Sequence, residues 1–169
     1  MKKLLLGLFA VLMVVTMAAC NTNKGNGDAD TNTGSTTTPT GELSEMMTEL
    51  YADIGEDNLP MLGQMEVTEE NFAWVLGAEE ASFEGIKEAY VSEPMMSSIA
   101  HVVLLVRTEE GATETVKTLI KEKANPRKWI CVGVEDEKNV IVDNRGDVIV
   151  LIMENTHAQT IHENFKNLK

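Results

Sequence analysis

Ile99-Ala100-His101-Val102-Val103-Leu104-Leu105-Val106-Arg107 is the stretch on which the reading of the fold turns. Its β-branched and leucine content favours an extended chain, and strand geometry sends alternate side chains to opposite faces. Ala100, Val102, Leu104 and Val106 then share one face, and Ile99, His101, Val103, Leu105 and Arg107 share the other. Further strands are expected on either side of it. Ile86 to Val91 gives one, stopped by Glu93-Pro94, and Lys128 to Val134 another. Val140-Ile141-Val142 and Val148 to Met153 read as a hairpin around Asp143-Asn144-Arg145-Gly146-Asp147, where Asn and Gly tolerate the positive φ of a tight turn.

Helical periodicity fills the remaining segments. Leu43, Met46, Met47, Leu50 and Ile54 recur at helical spacing over residues 42–54. Thr68 reads as an N-cap before Glu69 and Glu70, with Phe72, Val75 and Leu76 inward and Gly77 as the stop. Ala112, Val116, Leu119 and Ile120 predict a helix ended by Asn125-Pro126, and Ala158, Ile161, Phe165 and Leu168 predict a last one after Asn155 or Thr156. Asn58 to Val67, with Pro60 and Gly63, reads as irregular or extended. The expected class is α+β: a two-layer sandwich with a largely antiparallel sheet of four to five strands and helices mainly on one face.

Outward from this domain, composition changes abruptly. Asn21 to Gly41 is almost wholly Asn, Thr, Gly, Ser and Asp, with Pro39 near its end, and reads as a flexible tether. As a coil it spans on the order of 25 Å. Before it, Lys2 and Lys3 precede an apolar run from Leu4 to Val15, then Thr16-Met17-Ala18-Ala19-Cys20. A basic start, a short apolar core and small residues before a cleavage site make a secretory signal. Met17-Ala18-Ala19-Cys20 also resembles the lipobox of bacterial lipoproteins, whose cysteine becomes the lipidated first residue of the mature chain. The expected organisation is a signal peptide over 1–19, a lipidated Cys20 with its tether over 20–41, and one domain over 42–169. Within that domain an acidic helical lead-in covers 42–80, and the sheet with its helices covers 81–169. The expected location is the extracytoplasmic face of the cell membrane, with lipid on Cys20 as the membrane contact.

A small lipoprotein with such a tether and acidic lead-in, then Glu93-Pro94-Met95-Met96 before an apolar strand, resembles the domain of unknown function 4358 family of Gram-positive bacteria. Lys128-Trp129-Ile130-Cys131-Val132 and the Asn144-Arg145-Gly146-Asp147 hairpin resemble one branch of it. The resemblance covers about residues 42–168 and implies location and domain extent. It implies no activity, since the family has none assigned, and no functional residues.

Charge is the sharpest functional signal. The formal net charge is −13, and loss of residues 1–19 takes Lys2 and Lys3 with it, leaving −15. Between Glu42 and Glu93 stand fourteen acids and one base, Lys87, whereas Pro94 to Lys169 holds eleven acids and ten bases. Nucleic acid is excluded as a partner because phosphate binding needs clustered Lys and Arg. The acidic half reads either as a solvated face or as a docking face for a basic protein, an envelope component or divalent cations. Glu42, Glu45, Glu49 and Asp53, a stripe beside the apolar face of the first helix, are the candidate interaction face.

Chemistry-bearing residues are sparse. Cys131, without a partner once Cys20 carries lipid, is expected to be a small buried hydrophobe in its strand. It is a nucleophile only if His101 lies on a neighbouring strand to act as base. His157 and His162 diverge by about 140° on a helix and cannot share a metal. Asp28 to Gly34 lacks the glycine and the final glutamate of a calcium loop. Met46-Met47, Met95-Met96, Met61 and Met65 fit core plasticity or an adaptable contact surface better than soft-metal binding. Arg145-Gly146-Asp147 spells an adhesion tripeptide, but each residue has a turn role. Phosphate loops, nucleophile elbows and zinc-protease motifs are absent, so no catalytic residue, metal ligand or cofactor is assigned. The sequence points to a non-catalytic binding module of the cell envelope, of unspecified oligomeric state. The alternatives are an envelope enzyme without a motif and a cation-binding lipoprotein.

Overall fold

The structure, a computed structural model, describes residues 37–169. The signal peptide, Cys20, the calcium-like stretch and most of the tether lie outside the described residues. The elements run α1 (Leu43–Leu50), β1 (Leu62–Glu66), α2 (Glu69–Leu76), β2 (Ile86–Pro94), β3 (His101–Thr108), α3 (Thr113–Lys123), β4 (Val140–Arg145), β5 (Val148–Glu154) and α4 (Ala158–Asn167). The five strands form one sheet in the order β1-β2-β3-β5-β4, and every neighbouring pair is antiparallel. The α+β class and the antiparallel five-stranded sheet are as the sequence predicts.

Helix placement is not. Val102, Leu104 and Val106 of β3, with Ile149 and Leu151 of β5, pack with Phe72, Val75 and Leu76 of α2 and Val116 and Ile120 of α3. Val103 and Leu105, with Val150 and Ile152, pack on the other face with Met46, Met47 and Leu50 of α1 and Ile161 and Phe165 of α4. Two helices therefore cover each face, and the expectation of helices mainly on one face is corrected. The cause is β3 and β5 themselves. Both strands are apolar on both faces, and a one-sided cover would leave Val103, Leu105, Val150 and Ile152 in water, at about 1.5–3 kcal/mol each.

Local signals set most element ends. The Asn71 side-chain oxygen accepts the Thr68 N–H at 2.8 Å, closing the start of α2. Gly77 ends α2 at φ +74, where a Cβ would stand 2.5 Å from the Lys128 Cβ. The segment expected to be a third strand, Lys128 to Val134, is instead a closed loop. Asn125 N–H donates to the Leu76 carbonyl at 2.8 Å, and Val134 N–H to the Pro126 carbonyl at 2.8 Å. Asn155 straps it further, donating to the Gly133 carbonyl and accepting from Glu135 N–H, each at 3.0 Å. With those groups taken and Pro126 and Gly133 interrupting, no ladder forms. Leu62–Glu66 supplies the fifth strand from the stretch read as irregular or extended.

The last residues of the predicted tether lie on the domain. Pro39 is buried, Thr40 N–H donates to the Lys169 carbonyl at 3.0 Å, and the Gly41 carbonyl accepts from Arg107 Nη2 at 2.7 Å. Thr38 packs against Gly146 at the β4–β5 turn, where a Cβ on that glycine would collide with it. Arg145 is buried and donates to the Phe165 and Leu168 carbonyls at the end of α4. It is thus a cation set at a helix C-terminus, and the tripeptide it begins is not presented as a unit to solvent.

Candidate functional site

Two regions gather the side chains singled out in the sequence. The first is a cleft of about 740 Å³ at the end of the sheet where β3 begins and β5 finishes. His101 opens β3 and Glu154 closes β5, and the register sets them opposite each other. The Tyr51 hydroxyl lies 2.8 Å from His101 Nε2, and Glu154 Oε2 lies 3.7 Å from Nδ1, an ion-pair rather than a hydrogen-bond distance. All three are buried. Burial pushes the Tyr51 phenol far above its usual range, with the Glu154 charge adding to it, so it stays protonated. Burial alone would also raise the Glu154 carboxyl. His101 and the Thr156 and His157 main-chain N–H groups outweigh that and hold it below its ordinary value.

On the opposite sheet face Lys128 reaches the buried Glu93 carboxylate at 2.6 Å and the Val75 carbonyl at 2.7 Å, 4.6 Å from the Trp74 ring centroid. Desolvation drives the two partners' protonation equilibria in opposite senses, raising Glu93 and lowering Lys128, against their mutual attraction. The contacts these groups make are structural. Tyr51 ties the end of α1 to the sheet, Glu154 holds the start of α4, and Lys128 pins the 125–134 loop.

Cys131 departs from expectation. It is exposed, at φ +65, beside Ile130, which is 69 % exposed. The buried-strand reading of Cys131 is corrected, because the loop that replaces the strand turns it outward. His101, His157 and Cys131 all line the one cleft, although Cys131 stands on no strand beside β3. His162 stands elsewhere, 2.8 Å from Asp143. Met46 and Met47 are core, whereas Met61, Met65, Met95 and Met96 are exposed. Among the described residues no group of three His, Cys, Asp or Glu side chains is placed to hold a metal ion.

The second region is the acidic face. Glu42, Glu45, Glu49 and Asp53 are all exposed, while Leu43, Met46, Met47 and Leu50 seat α1 on the sheet. None of the four acids meets a Lys or Arg in an ion pair among the described residues. A hollow of about 490 Å³ at the start of α1 brings Glu42 together with Glu66, Glu69 and Glu88, opposed by Lys87. Glu88 is paired with Arg107 at 2.6 Å. A groove of about 390 Å³ between α1 and β1 is lined by Thr48, Tyr51, Leu59, Leu62 and Gln64 among others. Spacing over residues 42–54 pointed to the stripe, of which Glu45 and Glu49 lie within α1, Glu42 stands at its N-cap and Asp53 follows its end. The convergence of Glu66 and Glu69 on Glu42 depends on β1 pairing, which the sequence did not disclose.

No protein-family model matches the chain, and neither a curated protein nor a solved structure was found to match it.

Proposed function

We propose that this protein is a lipid-anchored, extracytoplasmic binding module of a bacterial cell envelope that engages a basic partner through its acidic face and performs no catalysis. The observation that carries the reading is Met17-Ala18-Ala19-Cys20, placed after a basic start and an apolar run and before a tether. The resemblance to the domain of unknown function 4358 family belongs to the same reading. Two structural facts support it. Glu42, Glu45, Glu49 and Asp53 stand in solvent without basic partners among the described residues. The buried ionisable groups are engaged with one another, Tyr51 and Glu154 with His101 beside the cleft and Lys128 with Glu93 on the opposite face.

Cys20→Ala tests the anchor. Wild-type chain should take up labelled fatty acid and sediment with membranes. The variant should do neither, yet keep the same far-ultraviolet dichroism. Unlipidated wild-type chain would end the proposal.

A further inference from the structure

Strand β1 is an edge of the sheet, and its register with β2 fixes which way its main chain faces. Met95 N–H donates to the Met61 carbonyl and Val67 N–H to the Ala89 carbonyl. In an antiparallel ladder such bonded positions alternate, so Met61, Gly63, Met65 and Val67 address β2. The N–H and C=O groups of Leu62, Gln64 and Glu66 therefore turn away from the sheet, and none meets a partner among the described residues. The strand has no proline or lysine, and its last three residues are exposed. Natural edges are usually blunted by such devices or covered, and here only the strand's five-residue length and the Glu66 charge do so.

We infer that β1 receives an extended, cationic polypeptide segment as a sixth strand. This rests on the basic-partner reading above and gives it a surface and a chemistry. Main-chain groups of the incoming strand would satisfy Leu62, Gln64 and Glu66, and alternate side chains would enter the flanking hollows. One hollow, between α1 and β1, takes an aliphatic stem against Leu59 and Leu62. The other sets Glu42, Glu66 and Glu69 around the end of the strand, where Lys or Arg is drawn in. Charge also decides against a second copy. Pairing β1 with itself would bring two such acid clusters together, from a segment of fourteen acids and one base.

The test uses the full chain in detergent and a short capped peptide of alternating Lys and Val. It should bind and slow hydrogen exchange at the Leu62, Gln64 and Glu66 amides by about tenfold, the equivalent of one hydrogen bond. An alternating Glu and Val peptide should not bind. Gln64→Pro removes an outward N–H and leaves the β2 ladder intact, so affinity should fall at least about tenfold. The same Lys and Val peptide, N-methylated at alternate bonds, should fail on the unaltered protein, which covers the case of a variant that does not fold. Absence of binding overturns the proposal, as does unchanged affinity for Gln64→Pro or for the methylated peptide. Binding that protects only Glu42 to Asp53 overturns the added strand while leaving the acidic-face reading standing. Self-association through β1 that excludes the peptide overturns both.

Discussion

Strand β4 borders the sheet with its side chains engaged by helices on both faces, whereas β1 borders it with almost none. On β4, Asp143 meets His162 of α4, Asn144 accepts from Lys117 of α3, and Arg145 donates to the last carbonyls of α4. Inward charges of that kind lock register and discourage a further strand. On β1, Gln64, Met65 and Glu66 are exposed and Gly63 offers no side chain. The contrast shows that this fold can finish an edge and that only one has been finished. The edge left open lies on the side where Glu42, Glu66 and Glu69 collect, which is where the proposed strand would add.

The largest expected effect sharpens that contrast through stability. Arg145→Ala strips the Phe165 and Leu168 carbonyls of their donor and opens space beneath α4, and should cost about 2–4 kcal/mol. Gln64→Ala on β1 should stay within about 0.5 kcal/mol. Urea unfolding of both variants measures the difference. Equal losses would mean that the two edges are finished alike.

The contrast also marks where sequence was legible. Alternation in Ile99 to Arg107 and the Asp143 to Asp147 turn predicted strands β3, β4 and β5, and the helical stripes ending at Ile54, Leu76, Ile120 and Leu168 predicted four helices, the first of which stops at Leu50. These segments carry their own period. Leu62–Glu66 carries none, having no β-branched residue, and becomes a strand because β2 offers it a ladder. Lys128 to Val134 errs the other way: it looks like a strand, but Lys128 is held by Glu93 and Val75 and the loop closes on itself. The two-sided apolar character of Ile99 to Arg107 already contained the cover on both faces. The acidic stripe was legible from spacing along one helix, whereas the cleft and the open edge depend on contacts far apart in the chain.

A second prediction concerns acid. The chain holds many carboxylates around β1, yet pH should reach the fold through Glu154 instead, because exposed groups are screened by solvent and salt. Its folded-state carboxyl lies below the ordinary value, the net of a burial penalty and the larger pull of His101 and two main-chain donors. A depressed carboxyl adds stability that is complete above its unfolded value, near pH 4.5. That contribution disappears as pH falls through the lower folded value. Glu154→Gln should therefore lose about 1–3 kcal/mol at neutral pH and show a flatter acid limb. Thermal unfolding followed between pH 7 and pH 3 reads both. An acid limb as steep as the wild type's would place the titrating groups elsewhere in the fold.

The smallest effect separates charge from structure on the open side. Neutralising Glu42, Glu45, Glu49 and Asp53 together to Gln and Asn changes a solvent-facing stripe and leaves Leu43, Met46, Met47 and Leu50 seated. Removing like charges at helical spacing relieves about 0.2–0.5 kcal/mol per adjacent pair. Glu42 and Glu45 are favourably placed at the start of α1, and their loss gives some of that back. The net change in stability should be under about 1 kcal/mol. Binding of the Lys and Val peptide should respond differently. Long-range attraction governs association, so the on-rate should fall and its dependence on salt should flatten, with dissociation little altered. Dissociation is governed by the main-chain bonds to Leu62, Gln64 and Glu66, which the substitutions do not touch. Stopped-flow fluorescence at low and physiological salt separates the two rates. An unchanged on-rate would reduce the stripe to a solubility device and leave the edge to act by backbone pairing alone. A faster dissociation would instead mean that the stripe touches the bound strand, and the division between an attracting face and a gripping edge would be lost.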